Sequence, residues 1–180
     1  MVHYKLTYFG VRGRAEVSRL IFAVAGQPFD DVRLTPEQFG ALKASLPFGK
    51  VPLLEVDGRV IPESFSIARY LAKQFDLAGR NDYERAWVDA LADQFKDYNE
   101  QFLAYMLIRI GFAQGDETKV KNEKAAPARD NFFPILEKRI HSNGTGYLVG
   151  NDLTWVDLLV AEHINLLNDK FSDFITGYPK

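Results

Sequence analysis

Cysteine is absent from the 180 residues. That excludes disulfides, thiolate metal sites and any enzyme whose own sulfur is the nucleophile. Histidine is scarce, and His3, His141 and His163 stand at no metal-ligand spacing, so no metal is expected. No apolar run approaches the ~20 residues of a membrane span, and the first residues alternate instead of forming the apolar core of a signal peptide. Neither sign of charge dominates: 22 Lys and Arg are scattered among 24 Asp and Glu, for a net charge of −2. Neither a nucleic acid nor a membrane is therefore expected as a partner. Repeats and low-complexity tracts are also missing. What remains is an ordinary globular composition, 47% apolar and 26% charged, with a cytoplasmic location as the expectation.

What is present divides into two regions. Val2 to Phe9 alternates, with Tyr4, Leu6 and Tyr8 on one side and His3, Lys5 and Thr7 on the other, as a strand with unlike faces does. Gly10-Val11-Arg12-Gly13 breaks the pattern. From Arg14, apolar residues at Val17, Leu20, Ile21 and Val24 predict a helix that stops at Gly26 before Pro28. Phe29 to Leu34 reads as a second strand. Thr35-Pro36-Glu37-Gln38 is a capping box with proline at the first helical position, opening a short helix that ends near Pro47.

The stretch from Phe48 to Ser64 organises this region. Val51 to Val56 is apolar, Asp57-Gly58 is a hairpin turn whose central residues need positive φ, and a short return strand follows. Pro52 cannot donate to a ladder, so Val51 offers its backbone to something else. Ser64 reads as the N-cap of a helix carrying Ile67, Ala68, Leu71, Ala72 and Phe75. A strand edge and a helix N-terminus then meet at one spot, suited to a small extended molecule with a carboxylate. Residues 1–75 thus form an α/β domain in the order βαβαββα. Strands joined through a helix should be parallel, and those joined by Asp57-Gly58 antiparallel.

Residues 76–81 read as a linker. From 82 to 180 only helical spacing is found, so the second domain is all-helical. Trp87, Leu91, Phe95, Tyr98 and Phe102 form a long apolar stripe. A break at Gly111 to Asp116 precedes a helix reaching about His141, which Pro127 and Pro134 should bend or divide. A loop from Ser142 to Gly146 follows. Thr154 and Asp157 then form a capping box, with Leu153 and Leu158 as its hydrophobic staple.

Particular runs carry a resemblance. Tyr4-Lys5-Leu6-Thr7-Tyr8-Phe9 followed by Arg12-Gly13-Arg14-Ala15-Glu16 resembles the start of sigma-class glutathione transferases of the nematode type. Pro47-Phe48-Gly49-Lys50-Val51-Pro52, Glu55-Val56-Asp57-Gly58, Ala68-Arg69-Tyr70-Leu71 and Val149-Gly150-Asn151-Asp152-Leu153-Thr154-Trp155-Val156-Asp157 are similar to later landmarks of that family, in the same order. The resemblance implies a thioredoxin-like N-terminal domain and a helical C-terminal domain holding the electrophile site and dimer contacts. It also implies a cytoplasmic homodimer, active in detoxification, that conjugates glutathione, as co-substrate, to hydrophobic electrophiles. Peroxidase or prostaglandin-isomerase side activities are options it leaves open. An alternative from another class is a non-catalytic carrier of glutathione or hydrophobic ligands on the same fold. Family members continue with further helical sequence beyond the Gly177-Tyr178-Pro179 region, covering the electrophile site; this sequence ends at Lys180.

With no cysteine in the protein, the reactive sulfur belongs to the substrate. A free thiol with pKa ~8.5 is only a few per cent ionised at neutral pH. One charge-assisted hydrogen bond contributes roughly 1.5–3 kcal/mol, enough to lower that pKa by roughly one to two units. Tyr8 matches the family's catalytic tyrosine, which donates its hydroxyl to the thiolate; apart from the resemblance it is an ordinary strand aromatic. Arg12 and Arg14 oppose a helix dipole, an arrangement that an arriving anion would relieve. The resemblance assigns Arg14 to thiol activation and leaves Arg12 open.

The remaining site residues are carried over position by position. Val51 resembles the residue whose backbone pairs with the cysteinyl part of glutathione, with Pro52 cis. Lys43 and Lys50 resemble residues near the glycyl carboxylate. Ser64 resembles the ligand of the γ-glutamyl carboxylate. Glu63 stands where glutamine is usual and faces the ligand's ammonium, although its charge disfavours the adjacent carboxylate. Phe39 stands where a tryptophan often contacts the glycyl end, so an indole donor is lost. Asp97 matches a residue that reaches the γ-glutamyl group of a neighbouring subunit. Metal-binding carboxylates occur around Asp93 in some members, but position 96 is lysine here. Tyr105 and Phe112 line either the electrophile pocket or an aromatic core.

Overall fold

A computed structural model describes residues 2–178. The chain forms two compact units, one up to Ala78 and one from Gly79 onward.

In the first unit β1 (Tyr4–Phe9) alternates as its sequence does, burying Tyr4, Leu6 and Tyr8. A single 3₁₀ turn (Gly13–Ala15) leads into α1 (Glu16–Ala25), which Gly26 closes in the left-handed conformation at φ +61. Then follow β2 (Asp30–Leu34), α2 (Pro36–Leu42), β3 (Leu53–Val56), β4 (Arg59–Pro62) and α3 (Ser64–Gln74). The sheet order is β2-β1-β3-β4, with β1 and β2 parallel and β3 antiparallel to both neighbours. The βαβαββα order and both strand senses agree with the sequence reading. Asp57 and Gly58 turn the hairpin at φ +46 and +82. The Asp57 carboxylate accepts the His3 amide, tying that turn to the start of β1.

α1 and α3 pack together, burying Val17, Ile21 and Phe22 from one helix and Ile67, Ala68, Leu71 and Ala72 from the other. Tyr4 closes this core edge-on to Phe22 and Phe75, with centroids 5.3 and 5.8 Å apart. Each such large side chain contributes roughly 1.5–3 kcal/mol on burial. Thr35 opens α2 through a capping box, its Oγ1 accepting from the Gln38 amide. Ser64 corrects the expected cap. It is the first helical residue, and Glu63 occupies the N-cap position with φ +70 and ψ +121. The physical reason is that β4 runs to Pro62, so the chain must reverse within a single residue to enter α3.

Arg19 is buried and braces this unit. Its Nε donates to both Asp31 oxygens at 3.2 Å, and its Nη1 donates to Glu16 and to the Val11 carbonyl, both at 2.9 Å. A buried cation persists only when so partnered, and here the partners come from α1, β2 and the loop after β1.

The second unit is helical among the described residues. α4 (Asp82–Arg109) is followed by α5 (Glu117–Val120), a π turn (Lys121–Ala125), α6 (Ala126–Asn143) and α7 (Trp155–Lys170). Pro127 falls in the first turn of α6, just after the π turn, while Pro134 lies inside α6 without ending it. The predicted stripe faces the core through Leu91, Phe95, Tyr98 and Phe102, with Trp87 only half-buried. Tyr98 stacks on Phe132 at 5.1 Å, and its hydroxyl lies 2.7 Å from Nε2 of His163. His163 is edge-on to Phe95, Tyr98 and Phe102, and burial pushes its pKa down to about 3. The capping box at α7 is present: Asp157 accepts the Thr154 amide at 2.8 Å and the Leu148 amide at 2.8 Å. Near the chain end Asp173 pairs with Arg109 at 2.8 Å and Lys121 at 3.0 Å. Those hydrogen bonds hold its carboxyl down to about 2. No helix among the described residues is long and apolar enough to cross a membrane.

Candidate functional site

Three local irregularities of the first unit meet at one cleft. Val51 stands two residues before β3, outside the ladder, and its peptide bond to Pro52 is cis. Glu63 turns the chain at positive φ, presenting Ser64 and the N-terminus of the 11-residue α3. The loop after β1 adds Arg14. Arg14, Lys50, Val51, Pro52, Glu63 and Ser64 all line this cleft, together with Phe48 and Pro62. Arg14, Lys50 and the positive end of α3 outweigh the single Glu63 carboxylate, which suits an extended ligand carrying more than one carboxylate.

Tyr8 is not part of that lining. It lies behind the loop, 9% exposed, and its hydroxyl oxygen accepts the backbone N–H of Arg14 at 3.3 Å. Phe9 meets its ring edge-on at 5.5 Å. With the oxygen engaged as an acceptor, the phenolic proton is left to point elsewhere.

The other expected residues scatter. Phe39 packs edge-on against Phe9 at 5.1 Å, with the Lys43 ammonium 6.0 Å from its ring centre; neither lines the cleft. Arg12 approaches Glu16 only to 4.0 Å, because Glu16 is drawn to Arg19. Asp97 belongs to the helical unit, where it is exposed on α4 beside a cavity of about 230 Å³ that Tyr98, Phe132 and Ile135 also line. Tyr105 is fully buried and its hydroxyl accepts from Arg109, so the core reading holds for it. Phe112 is instead 80% exposed. Among the described residues no group of three His, Asp or Glu could hold a metal ion.

Phe48, Pro62, Gly13 and Arg19 escaped the sequence reading as site residues. Phe48 and Pro62 lie within the stretch singled out above, so position alone pointed to them. Arg19 looks like any helix cation, and only the partners it finds in the fold distinguish it.

A mixed four-stranded sheet in βαβαββα order, a cis-proline cleft at one helix N-terminus and a following helical unit define the two-domain, thioredoxin-like transferase class. Models of the glutathione S-transferase N-terminal and C-terminal domains match residues 4–73 and 96–180. The chain is 48% identical over 170 residues to probable glutathione S-transferase 6 of Caenorhabditis elegans, covering 94% of this chain and 82% of that one. A Nu-class transferase structure from Haemonchus contortus superposes with TM-score 0.90 at 47% identity, over 99% of this chain and 87% of that one. A monomeric transferase from Necator americanus gives 0.93 at 42%, over 98% and 86%. The chain belongs to the glutathione S-transferase family, among its nematode members, and is a glutathione transferase.

Proposed function

We propose that this transferase conjugates the thiolate of glutathione to hydrophobic electrophiles, with the Tyr8 hydroxyl donating a hydrogen bond that holds the sulfur as a thiolate. The observation that carries this reading is the Arg14 amide on the Tyr8 oxygen, which leaves the phenol free to act as a donor. A hydrogen bond to a charged acceptor contributes roughly 1.5–3 kcal/mol, so the bound thiol should ionise roughly one to two units below its ordinary range. The thiolate then attacks the electrophilic carbon and the leaving group departs with the electron pair. Arg14, on the rim of the cleft, supplies a positive field for that thiolate.

In this reading the glutathione backbone pairs with Val51 and the glycyl carboxylate meets Lys50, with Lys43 and Phe39 further out. Ser64 and the N-terminus of α3 take the γ-glutamyl carboxylate, and Glu63 takes the ammonium. The class is sigma, the location cytoplasmic, and detoxification the role. No metal is required. Asp97 reaches the γ-glutamyl group of a neighbouring subunit in a homodimer, although one similar transferase is monomeric. Peroxidase and prostaglandin-isomerase activities draw on the same thiolate. A carrier of glutathione or hydrophobic ligands without useful catalysis, on the same fold, is the second reading.

The test is conjugation of chlorodinitrobenzene by the wild type and by Tyr8→Phe. A loss of ~10²-fold or more is expected, the scale seen when one preorganised donor is removed. Equal high rates would refute the role of Tyr8. Near-zero rates in both, with tight glutathione binding, would establish the carrier instead.

A further inference from the structure

The loop between β1 and α1 passes directly over the phenol. Gly13 sits there at φ +46, where a Cβ would lie 2.9 Å from the Tyr8 hydroxyl oxygen and 3.1 Å from its Cε1. Real Cβ atoms do not approach so closely, so a side chain at 13 would force one of the two groups to move. Neither can yield easily. Tyr8 is a buried strand residue with Phe9 against its ring. The loop is held by Arg19, which donates to the carbonyls of Val11 and Arg12 at 2.9 and 3.3 Å while anchored to Asp31 and Glu16. In that clamped position the next amide, Arg14 N–H, reaches the phenol oxygen.

We infer that Gly13 is a positioning residue for sulfur activation: its missing side chain lets the clamped loop close on Tyr8, and that closure sets where the phenolic proton is offered. This rests on the reading of Tyr8 as the donor. It adds that the donor's place is decided by a residue that cannot itself touch the substrate through a side chain. The bulk allowed at position 13 then governs how well the thiolate is held, largely apart from how well the rest of glutathione binds.

The test is a double-mutant cycle between position 13 and Tyr8, with kinetics and a pH titration of the bound thiol. Gly13→Ala is expected to lower kcat for conjugation by ~10-fold or more while KM for glutathione stays within about twofold, and to return the thiol pKa toward that of a free thiol. In the Tyr8→Phe background, which lacks the crowded oxygen, the same change should cost less than about twofold. Gly13→Asn adds the same Cβ but tolerates positive φ, so it isolates crowding from backbone strain and keeps the test available if Gly13→Ala does not fold. It is expected to behave as Gly13→Ala. Wild-type rates and thiol pKa in either folded variant would overturn the inference, as would an equal loss in the two backgrounds. A fully active Tyr8→Phe would refute the catalytic role of Tyr8 itself. Loss in Tyr8→Phe without loss in the Gly13 variants refutes only the positioning role.

Discussion

Around its cleft the first unit keeps charged groups near solvent and bends its backbone to present them, with Arg19 buried behind; the core of the helical unit does the reverse. Around the cleft, Gly13 and Glu63 sit at φ +46 and +70, Val51–Pro52 is cis, and Arg14, Lys50 and Glu63 are exposed. In the helices the backbone departs from the α form mainly at one π turn. There Tyr98 and His163 are sealed into an aromatic core, satisfied by one another. Exposed charge beside Glu63, a non-glycine residue held at φ +70, points to binding, because strain of that kind persists where the surroundings enforce it. Buried polarity on a regular backbone points to packing specificity, because each group had to find its partner inside. On that contrast, changes in the helical core should alter stability and spare the cleft, and changes at the cleft should do the opposite.

The largest expected effect is on the helical side. Phe102 is fully buried, ringed by Tyr98, Tyr105, Phe171 and Phe174. Phe102→Ala should destabilise the protein by about 3–5 kcal/mol, read as a lower urea midpoint at unchanged slope, with KM for glutathione unaltered at temperatures where it remains folded. A midpoint at the wild-type position would break the contrast from that side.

Next comes acid sensitivity. An unfolded histidine takes up a proton below about pH 6.5, whereas folded His163 resists until about 3 because it is buried. The unfolded state therefore binds more protons across that window, and stability falls as the pH drops from about 6.5 toward 3. The slope is about 1.4 kcal/mol per pH unit, or about 2 kcal/mol at pH 5. His163→Phe should flatten this limb in urea unfolding followed at pH 7.5 and pH 5. An unaltered slope would show that other groups carry it. Asp173 acts lower still: its depressed pKa contributes stability above about 3.8 that is lost as the pH falls through about 2, so the two groups separate on one titration.

The smallest of the three belongs to the cleft. Ser64→Ala removes a hydroxyl but leaves the α3 N-terminus, so KM for glutathione should rise about tenfold with kcat and thermal midpoint little changed. A large drop in midpoint with unchanged KM would make Ser64 a structural residue and erase the distinction between the units.

Much of this was legible before the fold was known, and for local reasons. Alternation at Tyr4, Leu6 and Tyr8, the Asp57-Gly58 turn and the boxes at Thr35 and Thr154 each depend on residues a few positions apart. Ser64 was misplaced by one step because capping statistics do not register that Pro62 still belongs to a strand. Val51 and Ser64 stood out in the sequence itself, whereas Lys50, Pro52 and Glu63 came from the resemblance; all five line one cleft because one hairpin brings both ends of a single stretch together. The Arg19 clamp and the crowding of Gly13 against Tyr8 were not, since they depend on a helix and a parallel strand meeting the same loop. Whether Tyr105 lines a pocket or a core was also undecidable from spacing, because helical periodicity shows a face and not what covers it.

The most direct measurement is the ionisation of glutathione while bound to the protein, followed by thiolate absorbance against pH. A thiol pKa roughly one to two units below the ~8.5 of a free cysteine is expected, returning toward that value in Tyr8→Phe. Ionisation at the free value in the wild-type complex would contradict the claim that this protein activates a sulfur it does not own.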